Sequence, residues 1–130
     1  MRRKTLNEGN TMDLNRMIED IKVHPDFHKA GMIASHLGIV RSFSRDGKAV
    51  SGVDVLFDSQ KIEEIIRDIK SRPGIVEILI TTNSGHLKVG DDIVTIMVAG
   101  DIRENVFPAL IDAVNRLKSE AATKKEKVID

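Results

Sequence analysis

The chain has 130 residues, 41% of them hydrophobic, with twenty Lys and Arg balanced by twenty Asp and Glu. That length suits one domain with a real core, and the zero net charge gives no general pull toward DNA or RNA. With no Cys, no Trp, no Tyr and four Phe, it excludes disulfides, thiolate metal sites and a cysteine nucleophile, and it offers few platforms for stacking bases.

Residues 1–10 are polar and are expected to form a flexible N-terminus, leaving 11–130 as the folded domain. They contain no apolar core of a signal peptide, and no apolar run reaches the ~20 residues that span a bilayer. A cytoplasmic location follows as the expectation. Leu14, Met17, Ile18 and Ile21 recur at helical spacing. Thr11 or Asp13 can cap that helix, and His24-Pro25 ends it. Gly31 to Arg41 is apolar, glycine-bounded and partly β-branched, so it predicts a strand. Asp46-Gly47 suits a tight hairpin turn. Val50 to Phe57 alternates as a second strand with one face more polar. Asp58 or Ser59 then caps a helix whose Ile62, Ile65, Ile66 and Ile69 share one face, stopped by Pro73-Gly74. Ile75 to Thr82 predicts a third strand, Asn83-Ser84-Gly85 and Val89-Gly90-Asp91 a turn each, and Ile93 to Ala99 a central strand. Val106, Phe107, Leu110, Ala113, Val114 and Leu117 predict a final helix from about Arg103 to at least Lys118, followed by a charged tail. The pattern is a single α+β domain with a mixed, mostly antiparallel sheet.

Candidate sites are sparse. His24 and His28 are four apart, but Pro25 intervenes and no third ligand is near, so they read as solvated or turn histidines. His36, within the first strand, reads as a core or partner-facing residue, and His86 as an exposed turn residue. Asp54, Asp58, Asp91 and Asp92 lack calcium-loop spacing and suit caps and turns. Gly85 to Gly90 lacks the pattern of a phosphate loop. No metal or cofactor is expected. The basic residues stand out by position. Arg41 closes the first strand and Arg103 opens the last helix. Lys118 and Lys125 lie seven apart. If the helix runs on, two turns place both lysines on one side, about 10 Å apart.

Several segments, in order, resemble the molybdopterin synthase catalytic (large) subunit family. Gly38-Ile39-Val40-Arg41 is similar to its glycine-x-valine-arginine strand. Ser84 to Val94 (SGHLKVGDDIV) is similar to its glycine-x-leucine-x-x-glycine-acid turn and strand. Arg103-Glu104-Asn105-Val106-Phe107 resembles its helix start, and Lys118 with Lys125-Glu126 its lysine spacing. The collinear likeness spans about residues 12–127. It implies an α/β hammerhead-type fold, a homodimer, and one small ubiquitin-like sulfur-carrier subunit per protomer in a heterotetramer. It further implies conversion of cyclic pyranopterin monophosphate to the molybdopterin dithiolene, with sulfur delivered as the carrier's C-terminal thiocarboxylate. Sulfur brought by a partner fits a chain without cysteine. By resemblance, Lys118 and Lys125 are catalytic. Ile39, Val40, Arg41, Ile102, Arg103, Glu126 and Lys127 are substrate-binding. Arginine suits a phosphate through its planar fork, and lysine can serve oxyanion charge and proton movement. The chain departs from the family at Ile102, where a histidine is usual, and at Thr82-Asn83, where a histidine-arginine pair is. Lys124 stands at an aromatic position, a proline between the two lysines is missing, and Val55-Leu56-Phe57-Asp58 replaces a glutamate-tyrosine pattern. Those departures frame the alternative function: a non-catalytic relative that binds a pterin, another anion or a carrier protein.

Overall fold

The computed structural model describes residues 12–129. Thr11, the segment 1–10 and Asp130 lie outside the described residues. The elements are α1 (Leu14–Lys22), β1 (Met32–Ile39), β2 (Val50–Phe57), α2 (Ser59–Lys70), β3 (Ile75–Thr82), β4 (Gly85–Lys88), β5 (Asp92–Gly100), α3 (Arg103–Arg116) and β6 (Ala122–Val128).

Local chemistry sets the helix starts. The Asp13 side chain accepts from the Arg16 backbone N–H at 3.0 Å and caps α1. Asp58 does the same for α2, accepting from Gln60 and Lys61 N–H at 2.9 and 3.2 Å. Gly74, with φ of 79°, takes the backbone past the end of α2.

Two antiparallel three-stranded sheets form, ordered β1-β5-β3 and β4-β2-β6. The expectation of an α+β domain with mostly antiparallel strands holds, with the strands divided between two sheets rather than joined in one. β5 is central, as its apolar run predicts. Its residues alternate between two covers. Val94, Ile96 and Val98 pack under α2 and α3 with Ile65, Ile69, Val106 and Ala113. Met97 and Ala99 pack under α1 with Met17 and Ile21. The first sheet is therefore buried on both faces between helices.

Three further expectations change. Between the two expected turns, where no strand is expected, Gly85–Lys88 is the short strand β4, paired with Gly52 to Val55. Four residues beginning on glycine are too few for alternation to show. The Asp46-Gly47 turn forms, with a Phe43–Ala49 bridge behind it. Yet β1 and β2 do not pair; the chain crosses there from one sheet to the other. Val40 is held by Asp91 and Gly90 (2.9 and 2.8 Å) before that crossing. The last helix reaches Lys118 as expected, as α3 to Arg116 and then a π-helical turn Leu117–Ala121, but it does not run on to Lys125: the tail becomes β6. The charged tail satisfies its backbone against β2 over Ala122 to Val128, which a continued exposed helix could not do for β2.

Candidate functional site

The second sheet turns Val53, Val55 and Leu87 inward onto Val40, with Phe57 and Ile93 alongside. Where this small core meets the open end of the first sheet, a pocket of about 600 Å³ remains. Its floor is apolar: Val53, Val55, Phe57, Ile93, Val94 and Leu117. Its charged walls come from separate elements. Arg41 and Arg45 come from the β1–β2 crossing, Lys118 from the π turn, and Lys124 and Glu126 from β6. His36 comes from β1. Among the described residues, no ion pair engages Arg41, Arg45, Lys118 or Lys124. Four unpaired cations around an apolar floor suit an anionic ligand with a flat organic body.

Each cation is held by local structure. The Arg41 guanidinium lies over the Phe43 ring, 5.2 Å from its centroid. Arg45 sits in a turn closed by Ser44 N–H to Lys48 O (2.8 Å) and Lys48 N–H to Ser44 Oγ (3.0 Å), with the Ser44 hydroxyl also on Asp46. Lys118 rides the π turn, which Arg116 clamps. Arg116 donates to both Glu120 oxygens (2.9 and 3.1 Å) and to Asp68 of α2 (2.9 Å). The Glu120 and Asp68 carboxylates raise the Arg116 pKa further above its ordinary value.

The structure brings together Ile39, Val40, Arg41, Lys118 and Glu126 from the residues singled out in the sequence. It does not bring Lys125. With β6 extended, Lys124 stands opposite Val55 and faces the pocket, while Lys125 stands opposite Asp54 on the other side. Lys127 shares that outer face and meets Asp54 at 3.5 Å, next to His86. Ile102 and Arg103 lie past Gly100, at the far end of β5 from Val94. Six strand residues put them about 20 Å from the pocket of their own chain. Arg103 there meets only Glu104, at 3.6 Å, among the described ion pairs.

Sequence reasoning missed Arg45, Lys124 and the pocket position of His36. Strand alternation in the tail holds the signal for Lys124: with Ala122, Lys124 and Glu126 on one face, only one of the two adjacent lysines can line a site. Nothing local marks Arg45. At Asn83, the side chain is buried and donates to the Asp92 carbonyl at 2.7 Å, a structural role. No group of three or more metal-ligating side chains occurs among the described residues. No helix among them is long and apolar enough to cross a membrane.

Fold and site together define a one-domain α+β protein with a cation-walled pocket where two antiparallel sheets meet. The MoaE protein family matches residues 8–120, and the chain belongs to that family. A probable molybdopterin synthase of Haloferax volcanii is 29% identical over 123 residues, 90% of this chain and 47% of that one. The chain thus spans about half the length of that relative. Among solved structures, molybdopterin cofactor biosynthesis protein E of Burkholderia multivorans superposes with a TM-score of 0.73 at 26% identity, covering 91% of this chain and 82% of that one. A complex of subunits 1 and 2 of the molybdopterin-converting factor of Helicobacter pylori contains a chain with a TM-score of 0.68 at 16% identity, covering 90% and 80%. At that identity it shares the fold.

Proposed function

We propose that this chain is the large subunit of molybdopterin synthase, which moves sulfur from a thiocarboxylated carrier protein onto cyclic pyranopterin monophosphate in the cytoplasm. The observation that carries this reading is the pocket itself: Arg41, Lys118 and Lys124 converge on an apolar floor in a chain of the MoaE family. Arg41, with Arg45 beside it, grips the substrate phosphate through a planar fork, and Val53 and Val55 contact the pterin. Lys118 and Lys124 neutralise the negative charge that develops on the acyl oxygen as sulfur leaves the carrier. Lys124 takes the catalytic place that lysine spacing alone assigns to Lys125. Glu126 lies on the pocket edge, and Lys127 and Lys125 lie outside it.

The far placement of Arg103 supports a homodimer. An arginine about 20 Å from its own pocket can serve a phosphate only in a neighbouring protomer. Ile102, Phe107 and Ile111, exposed by 52%, 47% and 58% around it, are the apolar surface such an interface needs. The carrier subunit completes a heterotetramer.

A single-turnover reaction tests the assignment: this protein, a thiocarboxylated carrier, cyclic pyranopterin monophosphate, and Lys118→Ala alongside. The expected result is dithiolene product from the unmodified protein and its loss, by a hundredfold or more, in the variant. Absence of product despite intact folding and carrier binding overturns the synthase reading.

A further inference from the structure

Along β1, Met32 and Ala34 point into the core beneath α3. The next residue on that face is His36, and the one after is Gly38. At this level α3 has given way to the π turn, so His36 meets Lys118 and the pocket rather than core. Gly38 keeps the ring uncovered. A methyl carbon at Gly38 would stand 3.6 Å from His36 Nε2, so that nitrogen lies over a position where no side chain exists. Among the described residues no hydrogen bond or ion pair engages the ring. Its charged surroundings are Lys118 from the π turn, Arg41 and Arg45 from the crossing loop, and Lys124 and Glu126 from β6. β5 contributes only Ile93, Val94 and Ile96. Burial, then the Lys118 charge, holds the imidazole below the ordinary histidine pKa, so it is neutral at pH 7.

Sulfur transfer from an acyl donor creates a demand for such a group. Once the thiocarboxylate sulfur has bonded to a substrate carbon, the carrier's acyl carbon is still attached to that sulfur. Release requires a water oxygen to bond to the acyl carbon while the acyl C–S bond breaks and its electron pair stays on sulfur. One water proton must be taken up as the attack proceeds; the other leaves when the new carboxylic acid ionises.

We propose that His36 accepts the proton of this water and so drives release of the carrier, with Lys118 beside it holding the acyl oxyanion. The assignment rests on the synthase reading above. It places a proton acceptor inside the pocket of a chain whose helix start carries Ile102.

The test follows two events in single turnover, for the unmodified protein, His36→Phe and His36→Gln. Mass spectrometry measures formation of the covalent carrier–pterin adduct and its subsequent cleavage. Both variants are expected to form the adduct at the unmodified rate and to cleave it about a hundredfold more slowly, so that adduct accumulates. In the unmodified protein, cleavage falls as pH drops through the lowered His36 pKa; both variants lose that limb. If His36→Phe does not fold, His36→Gln decides. Equal cleavage rates and an unchanged pH limb overturn the role of His36 while leaving the synthase reading intact. Neither adduct nor product from the unmodified protein removes the synthase reading and this proposal together.

Discussion

Lys124 stands directly opposite Val55 across the β2–β6 ladder, and that register turns it into the pocket. Its neighbour Lys125, opposite Asp54, faces away. Lys124→Ala should therefore reduce single-turnover sulfur transfer by about a hundredfold, and Lys125→Ala should leave it within about twofold. The reverse pattern would mean that β6 shifts by one residue when the carrier binds, because a one-residue slip exchanges the two faces.

Arg116 positions Lys118 without lining the pocket. Its fork onto Glu120 and its bond to Asp68 join the π turn to α2. The Arg116 side chain holds the Glu120 carboxyl below its ordinary pKa. A depressed acid contributes above its unfolded pKa and loses that contribution only as pH falls through the depressed value. The clamp is thus intact at neutral pH. Arg116→Ala should lower kcat by about tenfold or more with little change in KM for the pterin. Arg116→Lys, which keeps charge but not the fork, should recover only part of it. Equal loss in KM would point to general disorder of the pocket instead.

Asp101 ties down the start of α3. Its carboxylate accepts from the Asn105 amide at 2.9 Å and the Ile102 N–H at 2.7 Å, and these bonds depress its pKa, Asn105 first. The stabilisation is complete above the unfolded value of about 3.9 and disappears as pH falls through the depressed folded value. Asp101→Ala should lower the melting temperature at pH 7, and the gap to the unmodified protein should close below about pH 4. A gap that persists at acid pH would show that the carboxylate charge is not what matters.

Ile96 is fully buried at the centre of β5, under both long helices. Ile96→Ala removes a side chain from a site walled by two elements that cannot both close in. Urea unfolding should show a loss of about 2–5 kcal/mol with an unchanged m value.

The position of Arg103 makes a mixing experiment informative. Arg103→Ala and Lys118→Ala proteins should each be inactive. Mixed and allowed to exchange subunits, they should regain activity at roughly a quarter of the unmodified sites, since half the dimers are hybrids with one complete pocket. No recovery would place Arg103 outside the reaction.

The sequence by itself determined the elements whose side chains alternate between core and water. The Ile62, Ile65, Ile66 and Ile69 face of α2, the apolar run of β5 and the helix starts to within two residues are all local, because periodicity and cap chemistry act over a few neighbouring residues. The structure chose Asp13 over Thr11 and Asp58 over Ser59 as the caps. It also carried the ordered segments that resemble one family, and with them Arg41 and Lys118. Tertiary structure alone decided the rest. The tail from Ala122 carries no apolar alternation; it is a strand because β2 offers it an unpaired edge. That pairing replaced helical spacing with strand alternation and so chose Lys124 over Lys125 for the pocket. The same packing made His36 a pocket wall rather than a core residue, since whether α3 or its π turn covers a β1 side chain depends on contacts between residues far apart in the chain.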